Sequence, residues 1–535
     1  MTPRERDPLR VTTDVLVVGG GPAATWAALA ARAAGAEVLL VDKGYCGTSG
    51  VTASAGTTHW LVPPKHRAAA AAERDRRGAG LTDPAYLDRT MDQSWRRYQP
   101  VAAAIGYPAT GYFRDVLGER HLVQGPVYMK EMRRRVRRAG ARILDHAPAL
   151  GLLRDGDGQV RGARGVLRQE DRAWSATAGG VVLATGGCAF RSGALGSHVN
   201  TGDGLLMAAE VGAALSGMEF SNYYGLSPAG AAMEKNLYFR TATYTDADGA
   251  VVAEDPDEIG AMVTGRVALM RARLAGPLYA VLDRTTPAHR ADLRAQTANA
   301  FLVFDRLGID PFRQRFEVDF VLEGTIRGSG GVRTLDPSGW TGVPGLWAAG
   351  DTASREPLVG ASSGAGAPNS SWTVASGSLA GSAAARHALA SATWPAPAAG
   401  TGTAGVSAGR TRGRRPWRDV VDTVQAVMLP MAPNAFRSAG TLAAGLRRLD
   451  ATWRELRELP AGTGRQQVEA REAAAMLAAA RWVQHSALAR TESRGLHRRL
   501  DHPGTDSAQR GHVLVHGVDH PVVQRIPAIR KDPVR

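Results

Sequence analysis

The sequence predicts an α/β protein with a doubly wound parallel sheet, an inserted α+β segment and a helical C-terminal part. Three observations predict it. Residues 14–44, DVLVVGGGPAATWAALAARAAGAEVLLVDKG, read as strand, glycine turn, small-residue helix and second strand. Residues 219–331 interrupt the βα rhythm that flanks them on both sides, and from Trp417 the apolar residues recur at helical spacing. At 535 residues with 44% apolar content the chain has material for about two to four domains and a sizeable core.

In the first unit Val15–Val18 form a buried strand, Gly19-Gly20-Gly21 turn the chain, Pro22 to Ala34 form the helix, and Glu37 to Val41 return parallel. Gly19 allows the tight turn, Gly21 lets backbone approach a pyrophosphate, and Ala24 takes the third small position, where helix and strand pack closely. The helix start at Pro22 and Ala23 offers N–H donors and a positive dipole end to phosphates. Asp42 follows about 20 residues after the glycines, where a carboxylate accepts hydrogen bonds from the adenosine ribose, and Lys43 stands beside it. This is a Rossmann-like dinucleotide site.

Composition narrows the function. A formal charge of +15 invites nucleic acid, but the arginines are scattered rather than gathered with aromatics, so no nucleic-acid partner is expected. The cluster Arg133, Arg134, Arg135, Arg137 and Arg138 reads as a solvated helix face or a dock for an acidic electron-transfer protein; Arg412, Arg414 and Arg415 sit in a loop. Cys46 and Cys188 are the only cysteines, too few for a disulfide framework, a zinc site or an iron–sulfur cluster, so no metal is expected and any cluster belongs to a partner. No apolar stretch is long enough to cross a bilayer and no secretory signal opens the chain, which leads to the expectation of a cytoplasmic protein.

Residues 45–60, YCGTSGVTASAGTTHW, place small and hydroxyl residues together, Thr48, Ser49, Gly50, Ala55 and Gly56 among them, as the approach to a flat phosphate-bearing cofactor requires. This loop resembles the second cofactor loop of the fumarate reductase, succinate dehydrogenase and L-aspartate oxidase flavoproteins, whose cofactor is FAD. In quinone-linked members a histidine of the loop carries the flavin covalently; here Gly50 or Ser49 holds that position, which implies noncovalent FAD. His59 is expected to be a loop or substrate-side residue. Residues 84–138 read as helices joined by loops at 106–111 and 118–125, and a hairpin turns at 155–158. The strand Val181 to Ala184 then ends in Thr185-Gly186-Gly187, at a carboxyl edge where a dinucleotide passes close to backbone. Asp203 is explained by helix capping; the resemblance also gives it an FAD contact.

The segment 219–331 resembles the family's capping domain, but its substrate residues differ. MEFSNYYGL puts Tyr224 where dicarboxylate-handling relatives carry a histidine, EGTIRGSGGV puts Ile326 or Arg327 at a second histidine, the proton-moving arginine falls near Ala261 if Arg266 keeps its register, and GASSGAGAPNSS leaves Ser363 or Ala365 at the carboxylate-binding arginine. A C4 dicarboxylate needs cations at both ends and a proton donor, so a different small polar or anionic substrate is expected. The candidate catalytic residues are Arg327, Tyr224 and Arg266. Tyr223 is weighed as a stacking or proton-donating group, and Arg240, Arg333 and Arg355 as further cations.

The cofactor domain resumes at GWTGVPGLWAAGD, where the resemblance places Asp351 on the flavin's ribityl chain. Asn369 and Ser370 open a long helix whose start would stabilise a reduced, anionic flavin. Residues 391–416 read as a flexible linker. The string ARTESRGLHRRLDHP resembles the end of the family's helical domain, with Glu492, Arg494 and His497 structural. The expected division is 1–218 and 332–390 for FAD binding, 219–331 for the cap, 417–510 for the helical domain and 511–535 for a tail. The cap also faintly resembles the adenylylsulfate reductase alpha subunit. The resemblance implies an FAD-dependent oxidoreductase moving hydride between substrate and flavin N5 and exchanging electrons with an iron–sulfur or ferredoxin-like protein; the alternatives are a stand-alone oxidase using oxygen and a non-catalytic flavin-binding subunit. Acid precipitation of the purified protein is expected to release a yellow, soluble flavin, whereas colour kept in the pellet would show a covalent bond.

Overall fold

The computed structural model describes residues 7–106, 119–235, 238–252, 266–363, 367–391, 393–402, 404, 416–459 and 462–528. Its main sheet runs, in spatial order, Ala399–Gly400, Ala149–Arg154, Val160–Leu167, Arg172–Leu183, Leu9–Val18, Val38–Val41 and Arg142–Leu144, and Leu346–Ala348 adds beside Arg172–Leu183. Leu9–Val18 lies parallel to both neighbours, in a register that sets Val18 opposite Val41 on one side and Leu183 on the other. The strand ends therefore coincide, and the residues that follow them, Gly19, Asp42 and Ala184, meet at one edge. Both sheet faces are covered: Val15 and Val17 pack on the helices Pro22–Ala33 and Ala367–Leu389, while Leu16 and Val18 face a larger core with Leu205 and Met207. Burial on two sides explains why the strand reads as a continuous apolar run.

Those two helices are in near backbone contact. A Cβ on Gly381 would lie 2.1 Å from the Ala27 carbonyl oxygen, and one on Gly377 2.3 Å from that of Ala23. Their small-residue composition thus fixes how close the phosphate-side helix sits to the rest of the domain.

The inserted segment builds its own sheet, in the order Tyr223–Pro228, Phe316–Gly324, Leu278–Val281 and Thr243–Thr245, all antiparallel. Tyr238, Phe239, Phe301, Phe304, Phe312 and Phe316 fill a separate core beneath it. The C-terminal helices are Pro416–Met428, Met431–Ala435, Ala439–Arg457 and Arg465–Ala489. The last is buried without a break from Ala470 to Gln484, and its many alanines let neighbours approach from every side. Among the described residues no helix is long and apolar enough to cross a membrane.

Three expectations change. Glu119–Gln124 is a strand paired with Gly56–Leu61, where a loop at 118–125 was expected; its partner lies too far away in sequence for a local pattern to reveal it. The segment expected to be a flexible linker is anchored where it is described, because Ala399–Gly400 pairs with Ala149–Arg154 and Trp394 packs so tightly on Gly179 that a Cβ there would lie 2.4 Å from its ring. Arg412, Arg414 and Arg415 lie outside the described residues. The tail forms a hairpin, Gly511–His516 with Val522–Pro527, which joins Leu215–Ser216 and Gly331–Val332 in a sheet at the base of the cap. Gly381→Ala is expected to lower stability: overpacking costs about 1–3 kcal/mol and outweighs a helix-propensity gain of about 1 kcal/mol. Gly440→Ala, with only one side-chain atom near at 3.9 Å, should leave the thermal midpoint unchanged or slightly raised.

Candidate active site

The glycine turn is dictated by contact. Gly19 adopts φ +126° and a Cβ there would sit 2.1 Å from the Ala184 carbonyl oxygen; on Gly20 it would sit 2.1 Å from Asp42 Oδ2. Gly21 differs, with φ −77° and no atom of the chain within 4 Å of a Cβ. Space beside Gly21 is left for something other than protein. No side chain caps the helix that starts at Pro22, so its first N–H groups remain open. Asp42, buried, accepts from Ser49 Oγ at 3.0 Å and from the Gly44 N–H at 3.2 Å, and burial pushes its carboxyl pKa up.

These residues line a cleft of about 590 Å³ with Lys43, Gly50, Ala184, Thr185, Gly186, Asn200 and Asp203. A second space of about 450 Å³ shares Ser49, Gly50, Ala184, Gly186 and Asn200 with it and continues past Pro22 and Ala23 to Met129, Asp351 and Thr373. An elongated ligand with a phosphate end and a flat end fits the pair. The Oδ1 of Asn200 and both polar atoms of Asn369 are buried with no hydrogen-bond partner among the described residues, which is the signature of groups that await a polar ligand.

Lys43 faces inward. Its Nζ donates to Thr201 Oγ1 and Asp203 Oδ2, both at 2.6 Å, and meets Glu472 at 3.1 Å. Asp203 is the first helical residue after Gly202 rather than the cap, and it also accepts from Thr201. Ser370 Oγ lies 2.6 Å from Thr57 Oγ1. Three expected cofactor residues engage the backbone nearby: Thr48 is exposed and its hydroxyl turns back to Tyr45, the Ala55 carbonyl accepts from Gly125, and Gly56 pairs with Gln124. Ala24 is fully buried in the helix packing. His59 stacks on Tyr98 with ring centroids 3.6 Å apart, inside the protein rather than on a substrate side.

Beyond Asp351 the charges gather. Arg355, 1% exposed, pairs with Asp351 and holds the carbonyls of Thr325 (2.7 Å), Ile326 (2.8 Å) and Gly328, the backbone on either side of Arg327. Burial lowers the Arg355 pKa and raises that of Asp351, the latter opposed by Arg355 and Arg327. Arg327 lies 3.4 Å from Glu323, with its guanidinium carbon 5.5 Å from the Tyr223 ring centre; burial works against its charge, but Glu323, Tyr223 and Glu234 hold its pKa above the usual value. Arg266 donates to the Tyr223 hydroxyl at 3.1 Å. Lys235 bridges Glu234 and Glu323, and Gly225 makes room, since a Cβ there would lie 2.7 Å from Glu323 Oε1. Arg327 and Arg266 are thus brought together, on Tyr223. Tyr224 is not: its hydroxyl points to the carbonyls of Leu429 (3.3 Å) and Pro430 (3.1 Å) in the helical domain, so it reads as a packing residue rather than a catalytic one. Sequence reading missed Asn200, Lys235, Glu234 and Glu323; Glu234 and Lys235 are neighbours in the chain, but they meet Glu323 only through the fold.

The family model described as the FAD binding domain matches residues 14–104 and 87–368, and that described as the fumarate reductase flavoprotein C-terminal region matches 423–525. Fold and cleft therefore define an FAD-binding oxidoreductase. The chain is 31% identical over 526 residues to the L-aspartate oxidase of Caulobacter vibrioides, covering 92% of this chain and 94% of that one, and 30% identical over 542 residues to that of Mycobacterium leprae (92% and 93%). It belongs to the fumarate reductase, succinate dehydrogenase and L-aspartate oxidase flavoprotein family. The same fold recurs in the E. coli quinol fumarate reductase (TM-score 0.81, 20% identity, 98% of both chains) and in adenylylsulfate reductase from Archaeoglobus fulgidus (0.78, 18%, 99% of both). Gly21→Ala, unstrained and clear of the chain, is expected to leave the apoprotein's thermal midpoint unchanged while raising the dissociation constant for FAD about tenfold or more, measured by flavin fluorescence.

Proposed function

We propose that this protein is a stand-alone flavin oxidase that holds FAD noncovalently, takes a hydride equivalent from a small anionic amino or hydroxy acid, and passes the electrons to oxygen. The observation that carries the reading is the pair of guanidinium groups, Arg266 and Arg327, whose carbons lie 5.9 and 5.5 Å from the centre of the Tyr223 ring, with Arg327 also acting on Asp351. The L-aspartate oxidases, aligned over nearly their whole length at about 30% identity, support the choice of oxygen as acceptor.

FAD, when bound, supplies the hydride acceptor. Gly19 and Gly21, with Pro22, Ala23, Asp42, Ser49, Gly50, Ala184, Thr185, Gly186 and Asn200, would hold it along the cleft. Asn369 and the start of the helix Ala367–Leu389 would offer donors and a positive dipole end to the negative charge that gathers on the flavin when it is reduced. Arg327 and Arg266 bind the substrate's anionic group. The Tyr223 hydroxyl, which accepts from Arg266, is the group beside these arginines that can hydrogen-bond the substrate's amino or hydroxyl group and so orient it. Ile326, Tyr224 and Ser363 supply no second cationic clamp, which favours a substrate other than a C4 dicarboxylate.

A protein electron acceptor gains less support. Arg133 is engaged by Asp145 (2.7 Å) and the Cys46 carbonyl, and Arg134 and Arg135 by Glu131 (2.6 and 2.8 Å), so much of the basic cluster is satisfied internally. A flavin reduced anaerobically by light and then exposed to air is expected to recover its absorbance within seconds. Recovery over many minutes would indicate a dedicated protein acceptor, and absence of any flavin spectrum would overturn the reading.

A further inference from the structure

The floor of the dinucleotide cleft is held from outside the cofactor domain. Two consecutive residues of the helix Arg465–Ala489, in the C-terminal helical domain, grip the short helix Asp203–Glu210 at its two ends. Arg471 forms a two-pronged ion pair with Glu210 at 2.8 and 3.0 Å, with both side chains nearly inaccessible. Glu472 reaches Lys43 at 3.1 Å, and Lys43 in turn holds Asp203 at 2.6 Å. Arg191 occupies the other Glu472 oxygen at 2.5 Å. The side chains of Lys43, Asp203 and Glu472 are 13%, 18% and 11% exposed, so the cluster is shielded from solvent.

Lys43 Nζ is engaged inside the chain, donating to Thr201 and Asp203 and forming an ion pair with Glu472. Lys43 and Asp203 both line the cleft, so this pair carries the hold of Glu472 to a ligand there. Burial disfavours the lysine's charge; Asp203 and Glu472 overcome that penalty and raise its pKa. The four charges Lys43, Arg191, Asp203 and Glu472 balance. Without the Glu472 charge, Arg191 loses the carboxylate it pairs with and Lys43 keeps only Asp203 among these groups, so the balance that fixes the Lys43–Asp203 pair is broken.

We propose that Glu472 is a positioning residue for the cofactor: it orients Lys43, Lys43 orients Asp203, and affinity for FAD is thereby coupled to docking of the helical domain. The inference rests on reading the cleft as the FAD site. Coupling over so long a stretch of chain makes the helical domain part of the cofactor site rather than a separate docking module.

The test is titration of FAD into the full-length apoprotein, followed by flavin fluorescence, with near-ultraviolet circular dichroism reporting the folded fraction. Glu472→Gln keeps the shape and removes the charge, and is expected to raise the dissociation constant about tenfold, as loss of one charge-assisted hydrogen bond does. Lys43→Met should have a similar effect, and the double variant should be little worse than the poorer single one, because the two residues act in series. Unchanged or tighter binding by the folded fraction of Glu472→Gln, or effects of the two substitutions that simply multiply, would overturn the proposal. Should Glu472→Gln fail to fold, Glu472→Asp, which keeps the charge but shortens the reach, decides in the same way: weaker binding supports the inference and equal binding overturns it. Failure of the unmodified protein to bind FAD would instead strike the functional reading itself.

Discussion

The contact on which the structure depends is the approach of Gly19 to the carbonyl of Ala184, too close to admit even a Cβ. It brings the carboxyl ends of two parallel strands together and so aligns everything that follows them. Asp42 reaches the same edge because its strand is registered on the same neighbour, and the helix beginning at Pro22 points its open N–H groups into the same space. Moving these backbones apart would separate Gly21, Asp42 and Ala184, and with them the walls of the cleft, at once. Glycine recurs at the next layer for the same reason, at Gly377 and Gly381, where a second helix lies on the carbonyls of the first.

Around this close-packed frame the protein buries charge, and it does so in pairs. Arg490 meets Glu219 and Glu492, His512 meets Glu356, and Arg437 donates to the Glu219 carbonyl and lies 2.7 Å from His497. Breaking such a pair costs far more than the pair itself contributes, because an uncompensated ion is left out of water. Arg490 and Arg437 join the first turn of the cap, at Glu219, to the helical domain, His512 joins the tail to Glu356 of the cofactor domain, and Arg355 holds the returning turn at 325–328. The cap's two connections are thus fixed by hydrogen bonds from elements distant in sequence.

The cofactor half of the molecule was legible in the sequence because it is written locally: strand, glycine turn, helix, strand and acid follow one another from Val15 to Asp42. Arg327 and Arg266 were legible as cations, but the group they share, Tyr223, and the carboxylates that balance them come from separate segments. Tyr224 was singled out because it stands at the family's histidine position; in the strand its hydroxyl goes to the helical domain while its neighbour Tyr223 meets the arginines, across a register with Phe316–Gly324 that is irregular at this pair. The strand Glu119–Gln124 and the anchored stretch around Ala399 escaped notice for a related reason, as both are short and take their conformation from partners far along the chain.

The hairpin Gly511–His516/Val522–Pro527 has a further consequence. It completes the small sheet formed by Leu215–Ser216 and Gly331–Val332, the strands through which the chain leaves for the cap and returns from it. Synthesis proceeds from the N-terminus, so this sheet stays open until residues made after all the other described elements have emerged from the ribosome. The nascent cofactor domain can form its first parallel strands early, but the base of its cap waits until this hairpin has been made.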